Sequence, residues 1–277
     1  MREFLEILKV VFLGIVEGIT EWLPISSTGH MILVDEFIKL NVSQSFKEMF
    51  LVVIQLGAIL AVPVVFWKKL FPFGKSADAE EKKRIWSLWF KVAVGVAPAA
   101  VLGFLLDDLL DKHLYNYVVV SVALVAYGIA FILVEHFKKG KDYCIESVYD
   151  ITYKDAFIIG AYQVLSLIPG TSRSGSTILG GMLTGVSRTA SAEFSFFMAI
   201  PIMLGASGLK ILKFIIRGFT VSSFELLLLF LGIAVAFIVS LVVIEFLMSF
   251  VKKHSFKAFG IYRIALGGAV LLYFLAK

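Results

Sequence analysis

The sequence predicts an all-α integral membrane protein, laid out as an inverted repeat in which a re-entrant helical hairpin is followed by three transmembrane helices. Three observations carry that prediction. Hydrophobic residues make up 59% of the chain and charged residues 17%, with a mean hydropathy of +0.91, which leaves too little polar side chain to clothe a soluble globule of 277 residues. Six apolar runs are long enough to cross a hydrocarbon core about 30 Å thick, which takes roughly 20 helical residues. Two further apolar stretches are each broken halfway by a proline and a turn of small hydroxylated residues.

In chain order, the first broken stretch runs from Phe4 to Ile38 and contains Glu17–His30, EGITEWLPISSTGH. Spans are expected near Glu48–Trp67, Trp86–Leu106 and Asn116–Val134. The second broken stretch, Asp155 to Val186, contains Gln163–Thr177, QVLSLIPGTSRSGST, and spans are expected near Phe194–Phe214, Phe224–Leu247 and Phe256–Ala276. A non-helical turn at membrane depth is tolerated only where protein or a polar cavity surrounds it, so both broken stretches read as re-entrant hairpins. An odd number of spans per half inverts the second half, giving one membrane domain with repeats over 1–140 and 141–277. Pro24 with Pro169, Glu17 with Gln163, and Ala61, Val62 and Pro63 with Ala199, Ile200 and Pro201 are the matching points, with a slip of one residue before the first proline pair.

The net charge of +5 and pI near 9.1 do not point to nucleic acid, because the basic residues sit in short loops beside apolar runs. Lys68, Lys69, Lys75, Lys82, Lys83 and Arg84, then Lys138, Lys139, Lys141 and Lys154, then Lys252, Lys253 and Lys257 fall on one side, expected to be cytoplasmic. Asp107, Asp108 and Asp111 fall on the other. The first hairpin then enters from outside, where both termini lie, and the second enters from the cytoplasm, so the two turns meet near the midplane. No cleaved signal peptide is expected, since the first apolar run passes into Glu17 and Glu21 with no small-residue cleavage site, and the single Cys144 excludes an intrachain disulfide.

Chemistry concentrates in the two turns. Glu17 and Glu21 share a helix face, and two carboxylates in a low-dielectric site require a shared proton or a cation between them. They read as a divalent-metal site or an acid–base pair, against the plainer reading of helix-capping or inter-helix hydrogen-bond partners. Ser26, Ser27 and Thr28 open the second half-helix; one of them is expected to cap it, and its N–H groups and dipole favour a phosphate. Gly170, Thr171, Ser172, Ser174 and Gly175 repeat this, with Arg173 supplying a fork for phosphate oxygens. His30 reads as catalytic in this company, whereas His113, His136 and His254 read as solvated. Lys91 and Arg263, each inside a span, have too little local context to assign.

At these residues the chain closely resembles the bacterial undecaprenyl-diphosphate phosphatase family associated with bacitracin resistance. The match comprises the E-x-x-x-E pair Glu17 and Glu21, the PISSTGH run from Pro24 to His30, and the PGTSRSG run from Pro169 to Gly175. It departs at Thr28, where Ser is usual, and at Glu17, where Gln is common. The resemblance implies a multi-pass enzyme of the bacterial plasma (inner) membrane that removes the terminal phosphate of a polyprenyl diphosphate lipid at a site facing outward, recycling the carrier for cell-wall precursors. It implies a catalytic set of Glu17, Glu21, Ser27, His30 and Arg173, with Glu17 and Glu21 able to hold a divalent cation, Mg2+ or Ca2+. Either Ser27 or His30 could attack phosphorus; Ser27 attacking with His30 as base is the favoured order. The bilayer and the lipid substrate are the expected partners, nucleic acid is not, and a homo-oligomer is left open.

Two rivals share parts of this pattern. A secondary transporter or flippase for an anionic or lipid-phosphate substrate also uses inverted repeats and broken helices, but a His, an Arg and clustered hydroxyls suit phosphoryl transfer better. Type-2 phosphatidic acid phosphatases need a second His with an Asp downstream of the Arg; after Arg173 only His254 remains, with no Asp following it.

Overall fold

The computed structural model describes residues 2–73, 78–114, 116–140 and 142–277, with the side chains of 107–113 left out. Lys75, Lys141 and the side chains of Asp107, Asp108, Asp111 and His113 therefore lie outside the described residues. The described residues form α1 (Arg2–Thr20), α2 (Ser27–Phe37), α3 (Gln44–Val53), α4 (Gln55–Val65), α5 (Trp67–Leu70), α6 (Ala79–Leu114), α7 (Tyr117–Phe137), α8 (Tyr153–Val164), α9 (Arg173–Leu183), α10 (Arg188–Ile216), α11 (Ser223–Lys253) and α12 (Lys257–Ala276), with no strand among them.

Among the described residues, six segments are long and apolar enough to cross a membrane: Gln44–Val65, Ala79–Leu106, Tyr117–Phe137, Arg188–Ile216, Ser223–Lys253 and Lys257–Ala276. They overlap the six expected runs; those at Tyr117 and Lys257 start one residue later, and the other four start earlier in the chain. The reason is capping, which recruits polar residues beyond the apolar core: Ser187 Oγ accepts from the Ala190 N–H, and Ser222 and Glu225 form a reciprocal capping box at the start of α11. The first span breaks at Ile54, between α3 and α4, and Ser207 of α10 donates to the Val52 carbonyl at 3.2 Å just before the break.

Apolar side chains divide by surroundings. Phe131, Phe194, Phe196, Phe197 and Phe256 are fully buried in one core that also holds Trp22, while Phe90, Phe104, Phe230, Val242 and Leu272 project outward from the spans. Helices approach closely where glycines face each other. A Cβ on Gly128 of α7 would lie 2.7 Å from the Gly260 carbonyl oxygen, and one on Gly260 of α12 would lie 2.7 Å from that of Gly128. Only small residues permit this backbone contact, which fixes α12 against α7.

The two broken stretches become helix pairs, α1 with α2 and α8 with α9. The first member of each packs on the middle span of the other half, α1 on α11 and α8 on α6. The outer ends of each pair also lie together. Lys9 of α1 donates to the Lys39 carbonyl beyond α2 at 2.7 Å, and Glu6 accepts from the Asn41 N–H at 2.9 Å. At the opposite end of the bundle, a bridge between Ile145 and Val186 joins the segment before α8 to the residues after α9. That end is tied by Glu135, which accepts from Arg188 at 2.8 and 2.5 Å and from the Phe256 N–H at 2.8 Å, and by Lys69, which reaches both oxygens of Glu193 at 2.7 Å. Lys91, unassigned from sequence, donates to the Tyr149 carbonyl at 2.7 Å, and His136 and His254 are exposed.

Candidate active site at two helix-breaking turns

Each turn is built on a serine held in the left-handed region of backbone space. Ser26 has φ +73° and Ser172 φ +72°, the only described non-glycine residues with positive φ. Such conformations cost about 1–3 kcal/mol each and persist where surrounding contacts enforce them. Here the enforcing contact is the cap: Ser26 Oγ accepts from the Gly29 N–H at 3.3 Å, and Ser172 Oγ accepts from the Gly175 N–H at 3.1 Å. Gly170 has φ +91°, and a Cβ there would fall 2.5 Å from the Val120 carbonyl oxygen, so this position admits only glycine.

With the caps in register, Ser27 and Arg173 occupy equivalent places as the first residues of α2 and α9. Both side chains reach the same carboxylate. Ser27 Oγ donates to Glu21 Oε2 at 2.9 Å, and Arg173 Nη2 donates to Glu21 Oε1 at 2.8 Å. Glu21 is 8% exposed, so this pair is shielded from solvent and held on both oxygens. The opposite face of Arg173 is fixed too: Nη1 donates to the Ser195 carbonyl at 2.9 Å, and the guanidinium sits 5.8 Å from the Trp22 ring centroid. Ser174 Oγ lies 3.3 Å from the Glu21 carbonyl and 3.1 Å from Ser172 Oγ, adding a second tie between the turns.

The His30 ring bonds to Ser26 and Tyr262. Its Nδ1 lies 2.8 Å from the Ser26 carbonyl, which can only accept, so Nδ1 carries a proton, and Nε2, 2.6 Å from Tyr262 Oη, accepts from that hydroxyl in the neutral ring. The two rings stack with centroids 5.6 Å apart. The sequence favours His30 as the base for Ser27; in the structure Ser27 is bonded to Glu21. The cause is local, because the chain leaves helical geometry after Thr20 and folds Glu21 back over the start of α2. Thr28 is half-buried in the first turn of α2, and Thr171 is buried with its N–H on the Ile168 carbonyl.

Glu17 is 1% exposed, with Glu21 as its charged neighbour and with Oε1 unpartnered. Among the described residues no three His, Cys, Asp or Glu side chains cluster closely enough to hold an ion alone. An orphaned buried carboxylate oxygen beside a second carboxylate nevertheless suits Mg2+, which is often held by one or two carboxylates together with substrate phosphate oxygens. Sequence reasoning missed Tyr262, Ser195 and Thr177, whose Oγ1 lies 2.7 Å from Ser195 Oγ. The Ser-rich opening of α10 was the available signal for Ser195.

Residues 10–269 match the family described as bacitracin resistance protein BacA. An undecaprenyl-diphosphatase of Enterococcus faecalis is 61% identical over 272 residues, 98% of each chain. One from Desulfitobacterium hafniense is 57% identical over 273 residues, covering 98% of this chain and 97% of that one, and one from Streptococcus thermophilus is 54% identical over 269 residues, covering 97% and 93%. By match and by coverage, the chain belongs to the bacitracin resistance protein BacA family.

Proposed function

We propose that this chain hydrolyses undecaprenyl diphosphate to undecaprenyl phosphate and inorganic phosphate. The relatives bearing that activity in their names span nearly the whole chain, and the observation that carries the mechanism is the shared carboxylate: Ser27 Oγ and Arg173 Nη2 on the two oxygens of Glu21. Glu21 takes the Ser27 proton as Ser27 Oγ forms a bond to the terminal phosphorus. The bond from that phosphorus to the bridging oxygen breaks, and undecaprenyl phosphate leaves. Arg173, with the backbone N–H groups at the starts of α2 and α9, offsets charge on the equatorial oxygens. Water then attacks the phosphoserine phosphorus, the bond to Ser27 Oγ breaks as Glu21 returns the proton to that oxygen, and phosphate leaves. Ser26, Thr28, Gly170, Thr171, Ser172, Ser174 and Gly175 form the wall of this phosphate cradle. His30, with Nε2 on Tyr262, exchanges a proton with the leaving group or the attacking water.

Glu17 and Glu21 would hold a divalent cation alongside the diphosphate, where it would neutralise phosphate charge. The lysine-rich ends of the spans support a cytoplasmic assignment for that end of the bundle, so that α1 and α2 enter as a re-entrant pair from the outer face of the plasma membrane and α8 and α9 from the inner one. The site then serves lipid arriving from the outer leaflet. Phosphate release from undecaprenyl or farnesyl diphosphate by detergent-purified protein tests the proposal. Wild type is expected to release phosphate and Ser27→Ala and Arg173→Ala to lose it; release unaffected by both substitutions, or none from folded wild type supplied with Mg2+, would overturn it.

A further inference from the structure

Arg263 of α12 is one of the largest fully buried side chains, at 0% exposure. Its Nη1 donates to the Pro24 carbonyl at 3.1 Å, and its Nη2 donates to the carbonyls of Gly170 and Thr171, both at 2.9 Å. Nη1 also lies 3.3 Å from where a Cβ on Gly175 would stand, against the start of α9. Among the described residues no carboxylate forms an ion pair with it. A buried cation held by neutral carbonyls, with the Tyr127 ring centroid 5.6 Å from its guanidinium carbon, is costly, and an apolar side chain would fill the same space more cheaply. What an apolar side chain cannot do is bind three peptide carbonyls drawn from two different turns.

Those carbonyls sit just ahead of the reacting groups. Pro24 precedes the strained cap Ser26 and then Ser27; Gly170 and Thr171 precede the strained cap Ser172 and then Arg173. The planar fork of a guanidinium fixes the direction of each acceptor as well as its distance. We propose that Arg263 is a positioning residue: it clamps the backbones of both turns and thereby sets the separation of Ser27 from Arg173 across Glu21. This rests on the phosphatase reading only for its kinetic consequence; the clamp itself is a property of the backbone.

Two measurements on Arg263→Lys and Arg263→Gln in the full-length, detergent-purified protein test it. Amide hydrogen exchange needs no substrate. It is expected to rise in both turns, residues 21–29 and 168–175, in both variants, while the interior of α11 keeps its protection. Kinetics with farnesyl diphosphate are expected to show kcat down about 100-fold for Arg263→Gln, the scale of a misplacement near 1 Å, with KM within about threefold. Arg263→Lys, which lacks the fork, should recover less than a tenth of wild-type kcat. Exchange unchanged in either turn would overturn the clamp, as would a folded Arg263→Gln variant with wild-type kcat. Loss of protection throughout the chain would also overturn it, by making Arg263 a general stabiliser. A wild type without phosphatase activity would remove the phosphatase reading and leave the exchange result to decide the clamp.

Discussion

The two turns share a frame and differ in what the frame carries. Both place a serine at positive φ, use its hydroxyl to cap the helix three residues on, and begin that helix on a functional side chain. The first turn contributes Ser27, the proposed nucleophile, and the carboxylate Glu21; the second contributes Arg173 and no acid. The carboxylate before the first turn has no counterpart before the second, where Leu167 stands at the equivalent place and Gln163 matches Glu17. A duplicated backbone device has thus been given opposite charges, and the attraction between them joins the halves into one site. Breaking an ion pair that is largely buried by removing one partner is strongly destabilising, which gives the asymmetry a structural role beside the catalytic one proposed.

Substitutions that remove the unequal parts should have the largest effects. Ser27→Ala and Glu21→Gln are each expected to lower kcat/KM by about 10^4-fold, and Arg173→Ala by about 10^3-fold or more, measured as phosphate release. A Glu21→Gln variant within tenfold of wild type would mean that another group takes the Ser27 proton. The next effect down concerns His30. Proton exchange by His30 predicts a rate that varies with pH in wild type and a flatter profile in His30→Ala, with Tyr262→Phe intermediate. A profile that keeps its shape in His30→Ala would remove His30 from proton transfer.

Removing the shared parts should do less to chemistry and more evenly. Ser26→Ala and Ser172→Ala each lose a cap, expected to cost about 1 kcal/mol, and each leaves a non-glycine residue at positive φ. Thermal unfolding in detergent should show similar losses for the two. A large loss for one and none for the other would show that the turns are not equivalent supports. The smallest catalytic effect is expected far from the turns, at Glu135→Gln, where the Arg188 and Phe256 contacts weaken: stability should fall while kcat stays within about threefold.

Much of the fold and part of the site are legible in the sequence, and the missing part has a physical reason. The six spans follow from hydropathy because lipid leaves a helix little alternative. Ser26, Ser27, Glu21 and Arg173 stand out because polar groups deep in apolar sequence are costly unless used. What pairs with what is not legible. Ser27 and Glu21 are six residues apart across a break, where helical spacing no longer tells which side chains meet. Tyr262 and Arg263 reach their partners across 232 and 239 residues, and an isolated cation in a span gives no sign of which carbonyls it will find. Four spans start before the apolar runs do, because their caps are polar and hydropathy does not register them.

The central claim is that Glu21 unites the two turns into one catalytic unit, and a double-mutant cycle tests it most directly. Glu21→Asp, Arg173→Lys and the double variant would be compared by kcat/KM for phosphate release from farnesyl diphosphate, each first shown to be folded. If the carboxylate and the guanidinium act together, each single substitution should lose about 10- to 100-fold and the double should lose little more than the worse single. Losses that multiply would mean that the two turns contribute independently and that Glu21 does not unite them.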